Sequence, residues 1–389
     1  MHDAVSWLAG QETAMLDLLR RMVDTDSGSH DKPGVDAVGG IVREFLEAHG
    51  VAVERIAGER QGDCLLARVP GPGGEASRGS NRGSPVLLLG HRDTVFPKGE
   101  ARRRPFAVQD GVASGPGVAD MKAGLVMNCF LLAAFARAGG PAVHALFTGD
   151  EEIGSPEGRA VIEAQARGAR CVLNAEPGRP SGAVVTGRKG GVFSRVRITG
   201  RAAHSGGNFE AGISAIEELA RKVVALHALT RLDRGITVNV GLVSGGQSVN
   251  TVAPEAELQV DLRYVEPGDR AEAMAAIEAI VARSHVAGTR ASLEVRGEFL
   301  PLVPDAASAR LFEAYAAAAA EGGLAVTGEF TGGCADSGFT AAAGAPTLCA
   351  VGPVGGGAHT PEEFLRVDSL VPRAQAAART ILSLEAAGL

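Results

Sequence analysis

Three apolar runs of strand length, each closing on acidic or histidine side chains, constrain this chain more than any other feature. VLLLG leads into His91 and Asp93, VHALFTGD into Glu151 and Glu152, and CVLNA into Glu176. Runs this short and this continuously apolar, set between helix-length segments, predict a parallel sheet and hence an α/β domain. In open sheets of this kind the ligand site lies beyond the carboxyl ends of the strands. The polar clusters fall at those ends. Two further segments have the same character. GPGVAD brings Asp120 to the start of a long apolar helix over residues 122–137, and the strand TLCAV with the loop GPVGGGA leads to His359.

The rest of the chain divides around this pattern. Met15, Leu18, Leu19 and Met22 share one helical face, as do Val38, Ile41, Val42, Phe45 and Leu46, with Gly50 ending the second helix. Strands are predicted at 64–69 and 86–89. Residues 71–84, GPGGEASRGSNRGS, read as a surface loop. Near residue 188 the style changes. Strands at 192–198, 236–243, 257–265 and 291–296, with helices at 213–229 and 269–286, give the order β-α-β-β-α-β, a split-βαβ sandwich. Asp269 and Glu272 are placed as the N-cap of the second helix and its partner. After residue 298 the α/β character resumes, with a helix at 306–321, a strand at 346–351 and a closing helix at 369–386. At 389 residues the chain exceeds the roughly 100–200 usual for one domain. One domain, 188–297, inserted into another, 1–187 with 298–389, accounts for the order.

Composition removes several function classes. The net charge is −7, and aromatic residues number one Trp, two Tyr and 13 Phe. A nucleic-acid partner is therefore not expected, since neither a basic footprint nor an aromatic stacking platform exists. No signal-peptide pattern and no uninterrupted apolar run near the ~18–20 residues of a bilayer span is visible, so no membrane partner is expected. Five scattered cysteines without a CxxC pair fit a reducing compartment. A cytoplasmic, soluble protein is the expectation. The chain has neither G-x-S-x-G nor H-E-x-x-H, so a nucleophile-elbow serine hydrolase and a thermolysin-like site lack their motifs.

The clustered residues point instead to a metal. Asp120, Glu151, Glu152 and Glu176, packed together without counter-charge, would repel and take up protons. Divalent cations relieve that conflict, and histidine with carboxylate ligands suits zinc. Asp93, two residues past His91, fits the carboxylate that orients a metal-binding imidazole. Each residue alone also has an ordinary role: Asp120 as a helix N-cap, Glu151 and Glu152 as a solvated turn, His359 as a loop residue. A metal site accounts for all of the segments at once.

The strings GHRDTVFPKG, GPGVADMKAG, TGDEEIGSPEG, NAEPG and GGGAHTPEEF closely resemble the zinc aminoacylase and carboxypeptidase family. That family includes acetylornithine deacetylase, succinyl-diaminopimelate desuccinylase, tripeptidase and the glutamate carboxypeptidases. The similarity spans nearly the whole chain, and DTVFPKG, DEEIGS and EPG look most like the glutamate carboxypeptidase (carboxypeptidase G) branch. The resemblance implies a zinc-exopeptidase-like catalytic domain with a mostly parallel sheet and an inserted ferredoxin-like dimerisation or lid domain. It implies two divalent ions per chain, as zinc, bridged by Asp120. His91 and Glu176 would complete one site, Glu152 and His359 the other, and Glu151 would act as general base on a bridging water. A cis peptide would fall at Asp120-Met121.

His204, in RAAHSGG, would stabilise the oxyanion in the active site of the partner within a homodimer. Arg263, on the polar face of the strand VDLRY, would hold a substrate carboxylate bidentately. Asn250, in GGQSVNTVAP, matches a second substrate-binding position, and TGGCADSG matches a loop lining the cleft. The implied reaction is hydrolysis of an amide next to a free carboxylate, releasing a C-terminal amino acid such as glutamate from a small peptide or N-acyl amino acid. One departure stands out. The family's glutamate-releasing members carry a lysine after the glutamate-proline segment, whereas GRPSGAVVTG has none, leaving Arg179 or Arg188 as substitutes. An N-acyl-amino-acid deacylase and a catalytically silent binding protein on the same fold are the alternative readings.

Overall fold

A computed structural model describes residues 2–72 and 84–384. Most of the glycine-rich stretch 71–84, and the last two residues of the closing helix as expected, lie outside those residues. The chain forms two compact units, one of residues 1–187, 302–331 and 335–389, the other of residues 188–301 with 332–334.

The first unit is organised by an eight-stranded sheet. Its order is Ala52–Ile56, Cys64–Val69, Val143–Thr148, Val86–His91, Cys171–Asn174, Thr347–Cys349, Val184–Arg188 and Gly328–Thr331. The four central strands run parallel, while the pairings towards Ala52–Ile56 and with Val184–Arg188 are antiparallel. Val86–His91 is buried at every position, as a parallel strand covered on both faces must be. The helix Ala123–Ala138 is buried from Ala123 through Phe135, so it is apolar on all sides. The stretch Val118–Ala138 has the length and composition of a bilayer span, but 94% of its apolar window lies inside the protein. Helices Glu12–Val23 and Lys32–Ala48 bury the faces their spacing predicts, through Met15, Leu18, Leu19 and Met22 and through Val38, Val42 and Leu46.

A small antiparallel sheet in the same unit has no clear sequence signal. It joins Gly355–Gly356, Phe364–Arg366, Val112–Ser114 and Ala107–Gln109. These strands are only two or three residues long and partly glycine or polar, too short for alternation to register.

The second unit carries strands in the order Thr237–Gly245, Glu255–Tyr264, Gly190–Thr199 and Arg290–Phe299, all antiparallel. Helices Ala215–His227 and Pro267–Ala282 pack on it through Leu219, Leu226, Met274 and Ile277 against Val196, Leu258 and Leu262. This is the β-α-β-β-α-β arrangement. The expected cap is corrected: the second helix starts at Pro267 with Glu266 as N-cap and no side-chain cap bond. Pro267 is favoured in the first turn because it has no N–H to satisfy. Asp269 and Glu272 are instead both ion-paired to Arg234.

A buried ion pair closes this unit. Lys222 and Glu218 are both fully buried and 2.8 Å apart. Lys222 Nζ donates to the carbonyls of Ile280, Val281 and Arg283 at 2.8, 3.0 and 2.7 Å, satisfying acceptors that a helix end leaves open. Glu218 accepts the N–H groups of His285 and Val286 at 2.8 and 2.7 Å. Burial disfavours its charge, but the bonds from Lys222 and these N–H groups hold its pKa below the ordinary value. Its contribution to stability is therefore complete above the unfolded pKa of about 4.3 and is lost as the pH falls through the lower folded value. Glu218→Gln, which leaves Lys222 without its charge partner, is expected to destabilise the unit by ~3–5 kcal/mol. Hydrogen exchange at His285 and Val286 should accelerate in this variant. Unchanged protection there would refute the clamp.

Candidate metal centre

The central strands deliver the site. His91 is the last residue of Val86–His91 and is in register with Thr148, while Leu89 is in register with Asn174. Glu151 and Glu152 begin a single 3-10 turn just past Val143–Thr148, and Glu176 follows Cys171–Asn174 by two residues. All three clusters therefore leave the same end of three adjacent parallel strands. The start of the apolar helix presses against that end: a Cβ on Gly124 would sit 2.0 Å from the Ala175 carbonyl oxygen, so only glycine fits.

Asp120 lies in the turn before that helix, at φ −108° and ψ 93°, and the Asp120-Met121 peptide is cis. It does not cap the helix, whose N-cap is Lys122. His359 lies in the turn between Gly355–Gly356 and Phe364–Arg366, at φ 66° and with its side chain 54% exposed.

The five expected metal ligands are brought together around Asp120. Its Oδ1 is 3.2 Å from His91 Nε2 and its Oδ2 is 3.4 Å from His359 Nε2. On the first side, His91 Nε2 is 3.7 Å from Glu176 and 3.9 Å from Glu151. On the second, His359 Nε2 is 3.1 Å from Glu152. His91, Asp120 and Glu152 each offer a ligand atom within 4.8 Å of the others. Asp93, fully buried, is the hub beneath them. Its carboxylate lies 3.4 Å from His91 Nδ1 and accepts the N–H groups of both Glu151 and Glu152 at 3.1 Å and the Ser29 hydroxyl at 2.7 Å. His91 Nδ1 is nearer still to the Asp93 backbone carbonyl, at 3.0 Å.

The charges are in open conflict. Burial, with Glu176, Asp336 and Glu152 adding to it, raises the Glu151 pKa well above the ordinary carboxylate range against the pull of His91. Burial and the Asp120 charge push Glu152 up to about 7. Burial opposes ionisation of Asp120, yet His359 and His91 hold it low. The bonds to Asp120 and Glu152 raise His359 to about 10. His91, although buried, is held well above its ordinary value by Glu151, Asp120, Asp93 and Glu176.

The expected substrate residues lie in the second unit. His204 is exposed, and its Nδ1 accepts the N–H groups of Gly206 and Gly207 at 3.1 and 3.0 Å. An accepting Nδ1 puts the proton of a neutral imidazole on Nε2. Asn250 is next to it in space: its carbonyl accepts the Ser205 N–H at 2.9 Å, and Thr251 bridges to His204. Arg263 is on the polar face as expected but is already engaged, with Asp261 at 2.7 Å, Cys334 Sγ at 2.7 Å and the Phe193 ring 5.0 Å from its guanidinium carbon. The two substitute arginines are also occupied. Arg179 pairs with Glu329 at 2.7 Å, and Arg188 donates to the carbonyls of Gly333 and Cys334.

Three further buried acids were given no individual role from the sequence, although Asp336 stands in the segment expected to line the cleft. Glu363 accepts three N–H groups of the Asp120 turn. Asp336, in TGGCADSG, accepts the Ser155 and Thr148 hydroxyls, and burial pushes it up to about 8. Asp150 accepts the N–H groups of Glu157 and Gly158, anchoring the helix Gly158–Arg167. All three stand inside the polar motifs, but their partners are backbone and hydroxyl groups that spacing alone does not bring to mind.

Three parallel strand ends carrying an imidazole and carboxylates, with a second imidazole from a hairpin across a two-faced aspartate, define an α/β protein with an acidic centre suited to divalent cations. The sequence profile of peptidase family M20/M25/M40 matches residues 87–383, and the chain belongs to that family. It is 28% identical over 384 residues to carboxypeptidase G2 of Pseudomonas sp. (strain RS-16), covering 97% of this chain and 90% of that protein. It is 30% identical over 367 residues to succinyl-diaminopimelate desuccinylase of Acidiphilium cryptum, covering 87% and 90% respectively. Its fold is similar to that of an M20 family metallo-carboxypeptidase from Sulfolobus solfataricus, with a TM-score of 0.77 at 17% identity, covering 95% and 98% of the two chains.

The proton load of the centre makes metal binding pH-dependent. Ligands bind a cation unprotonated, and without one Glu152 sits near 7 and His359 near 10. Zinc affinity, measured by competition with a chromophoric chelator, is therefore expected to rise between pH 6 and 8, by about tenfold per pH unit for each proton displaced. Proton release should appear in calorimetry as a dependence on buffer ionisation enthalpy. Affinity flat across that range would contradict this arrangement.

Proposed function

We propose that this protein is a dinuclear zinc amidohydrolase that releases a C-terminal amino acid from a small peptide or N-acyl amino acid, glutamate being the amino acid to test first. The observation carrying the reading is Asp120, whose two carboxylate oxygens face two separate imidazoles, His91 and His359. The donor set fits the cations. His91, Glu176 and one Asp120 oxygen would hold one ion, and His359, Glu152 and the other oxygen the second. Two dications would offset the charge of four carboxylates, of which Glu151 and Glu152 are pushed up by burial and by their acidic neighbours. Bound there, the ions supply Lewis acidity towards water and the scissile carbonyl.

The protein's own groups do the rest. Glu151 is within 3.9 Å of His91 and is not required by either ligand set. It takes the proton of the attacking water and returns it to the leaving nitrogen. Asp93 fixes Glu151 and Glu152 through their N–H groups, so the base and its neighbour keep different tasks. His204 donates from Nε2 to the developing oxyanion, and Arg263 and Asn250 hold the substrate's carboxylate end.

Homodimerisation is part of this reading. Thr237–Gly245 is an edge strand whose Leu242 and Val243 are 62% and 59% exposed, and an unpaired apolar edge favours pairing with a second copy. His204 would then act in the partner's site. The buried free cysteines, Cys64, Cys129, Cys171 and Cys349, support a reducing, cytoplasmic setting. The likeness to a desuccinylase supports a second reading, an N-acyl-amino-acid deacylase. A panel varying the acyl and amino-acid sides of the amide separately distinguishes the two.

Elemental analysis is expected to find two divalent ions per chain, and chelation to abolish hydrolysis. Glu151→Gln should lower kcat by roughly 10²-fold or more with metal content kept, whereas Glu152→Gln should lose metal. Equal loss of metal in both would refute this division of roles, and full activity in metal-free protein would refute the reading itself.

Assembly is tested by complementation between a His204→Ala chain and a Glu151→Gln chain. In a mixed dimer one site carries both defects and the other neither, so activity should return towards half of wild type. No recovery after verified subunit exchange would mean that His204 does not act across the dimer.

A further inference from the structure

One fully buried carboxylate beside the centre has no chemical task in this scheme. Glu363 is 0% exposed. Its Oε2 accepts the Gly117 N–H at 2.9 Å, and its Oε1 accepts the N–H groups of Ala119 and Asp120, both at 2.9 Å. A carboxylate has about four lone-pair positions, and three are committed to one backbone turn. Glu363 also belongs to the turn that carries His359. Its own N–H donates to the Thr360 carbonyl at 3.3 Å. The next residue opens the strand Phe364–Arg366, which pairs with Gly355–Gly356 on one side and Val112–Ser114 on the other.

One side chain thus joins the two loops whose tips, Asp120 and His359, face each other at 3.4 Å. We propose that Glu363 is a positioning residue for the His359 side of the centre, holding the Gly117–Asp120 backbone so that Asp120 Oδ2 stays aligned with His359. The proposal rests on the metal-centre reading above. The His91 side is held differently, through Asp93 and the end of Val86–His91, so loss of Glu363 should affect the two sides unequally. Glutamine cannot replace it: the amide keeps one acceptor and turns an N–H₂ towards one of the three backbone donors. Aspartate keeps both acceptors but is one methylene shorter.

The test uses the full-length protein and E363Q, titrated with Zn²⁺ alone against a chromophoric chelator, with the visible spectrum of the Co²⁺-substituted protein as a second readout. The wild type is expected to bind two ions. E363Q is expected to keep one at unchanged affinity and to bind the other about 10–100-fold more weakly, the usual cost of losing an outer partner of a metal ligand. Only one of the two Co²⁺ bands should shift. At limiting Zn²⁺ kcat should fall with KM little changed, and excess Zn²⁺ should recover part of it. If E363Q is recovered only as aggregate, E363D carries the same measurements, with weakening of the same site expected. Two ions bound at wild-type affinity in the variant, whatever its melting temperature, overturn the positioning role. Fewer than two ions in the wild type overturn the underlying reading and this proposal with it, so the wild-type titration tells the two failures apart.

Discussion

Four carboxylates, Asp120, Glu151, Glu152 and Glu176, crowd together with two imidazoles, the buried His91 and the exposed His359. Folding has to concentrate negative charge there against its own repulsion, and the surroundings of the site reflect that constraint. Each acid is delivered by a strand end or a tight turn. The N–H groups of Glu151 and Glu152 are tied to Asp93, and that of Asp120 to Glu363. Both anchors are themselves buried carboxylates, satisfied by backbone and hydroxyl donors. Such bonds stabilise the anchor's charge without bringing a competing cation into the centre. The repulsion left over is what makes the cluster attractive to dications, because strain held in place by the fold is released on binding.

The two imidazoles of the centre are delivered by different means. His91 ends a parallel strand that is buried at every position and is itself 1% exposed, and Glu151, Glu152 and Glu176 follow the neighbouring strands. His359 comes from a hairpin of a small second sheet, in the left-handed region, and is 54% exposed. Asp120 stands between them, after the strand Val112–Ser114 of the small sheet and before the apolar core helix. The centre therefore joins a deeply buried imidazole to a solvent-accessible one across a single aspartate.

The contrast also explains what the sequence could convey. The large sheet was legible because its strands are continuous apolar runs ending on charge, as in VLLLG before His91 and CVLNA ahead of Glu176. The inserted sandwich was legible because Glu255–Tyr264 alternates strictly, burying Ala256, Leu258, Val260, Leu262 and Tyr264. Gly355–Gly356 and Val112–Ser114 offered nothing comparable, since two- and three-residue strands have no period. Missing that sheet hid how the backbone brings the His359 and Asp120 loops together, and with it the contacts of Glu363. The cap at Asp269 failed for another reason. An acid three residues before another fits a capping box on paper, but Pro267 had already started the helix and Arg234, distant in sequence, takes both acids.

Substrate recognition follows a different logic from the chemistry. Arg263 and Asp261 stand two residues apart on one face of a strand, and with its side chain 24% exposed the guanidinium needs an anion close by. Asp261 supplies one when no substrate is bound. On the proposed reading, a substrate carboxylate entering here exchanges one anion for another, so its Coulombic gain over the resting state is small. The arginine then discriminates chiefly by exclusion: a neutral or cationic terminus in that position leaves Asp261 as the better partner and is rejected. Positive affinity has to come from elsewhere on the substrate. Because Arg179 and Arg188 are engaged with Glu329 and with backbone carbonyls, neither stands ready for an acidic side chain. On the same reading, a preference for a free carboxylate would come from the Arg263–Asp261 pair, and the identity of the released amino acid would depend on contacts other than these arginines.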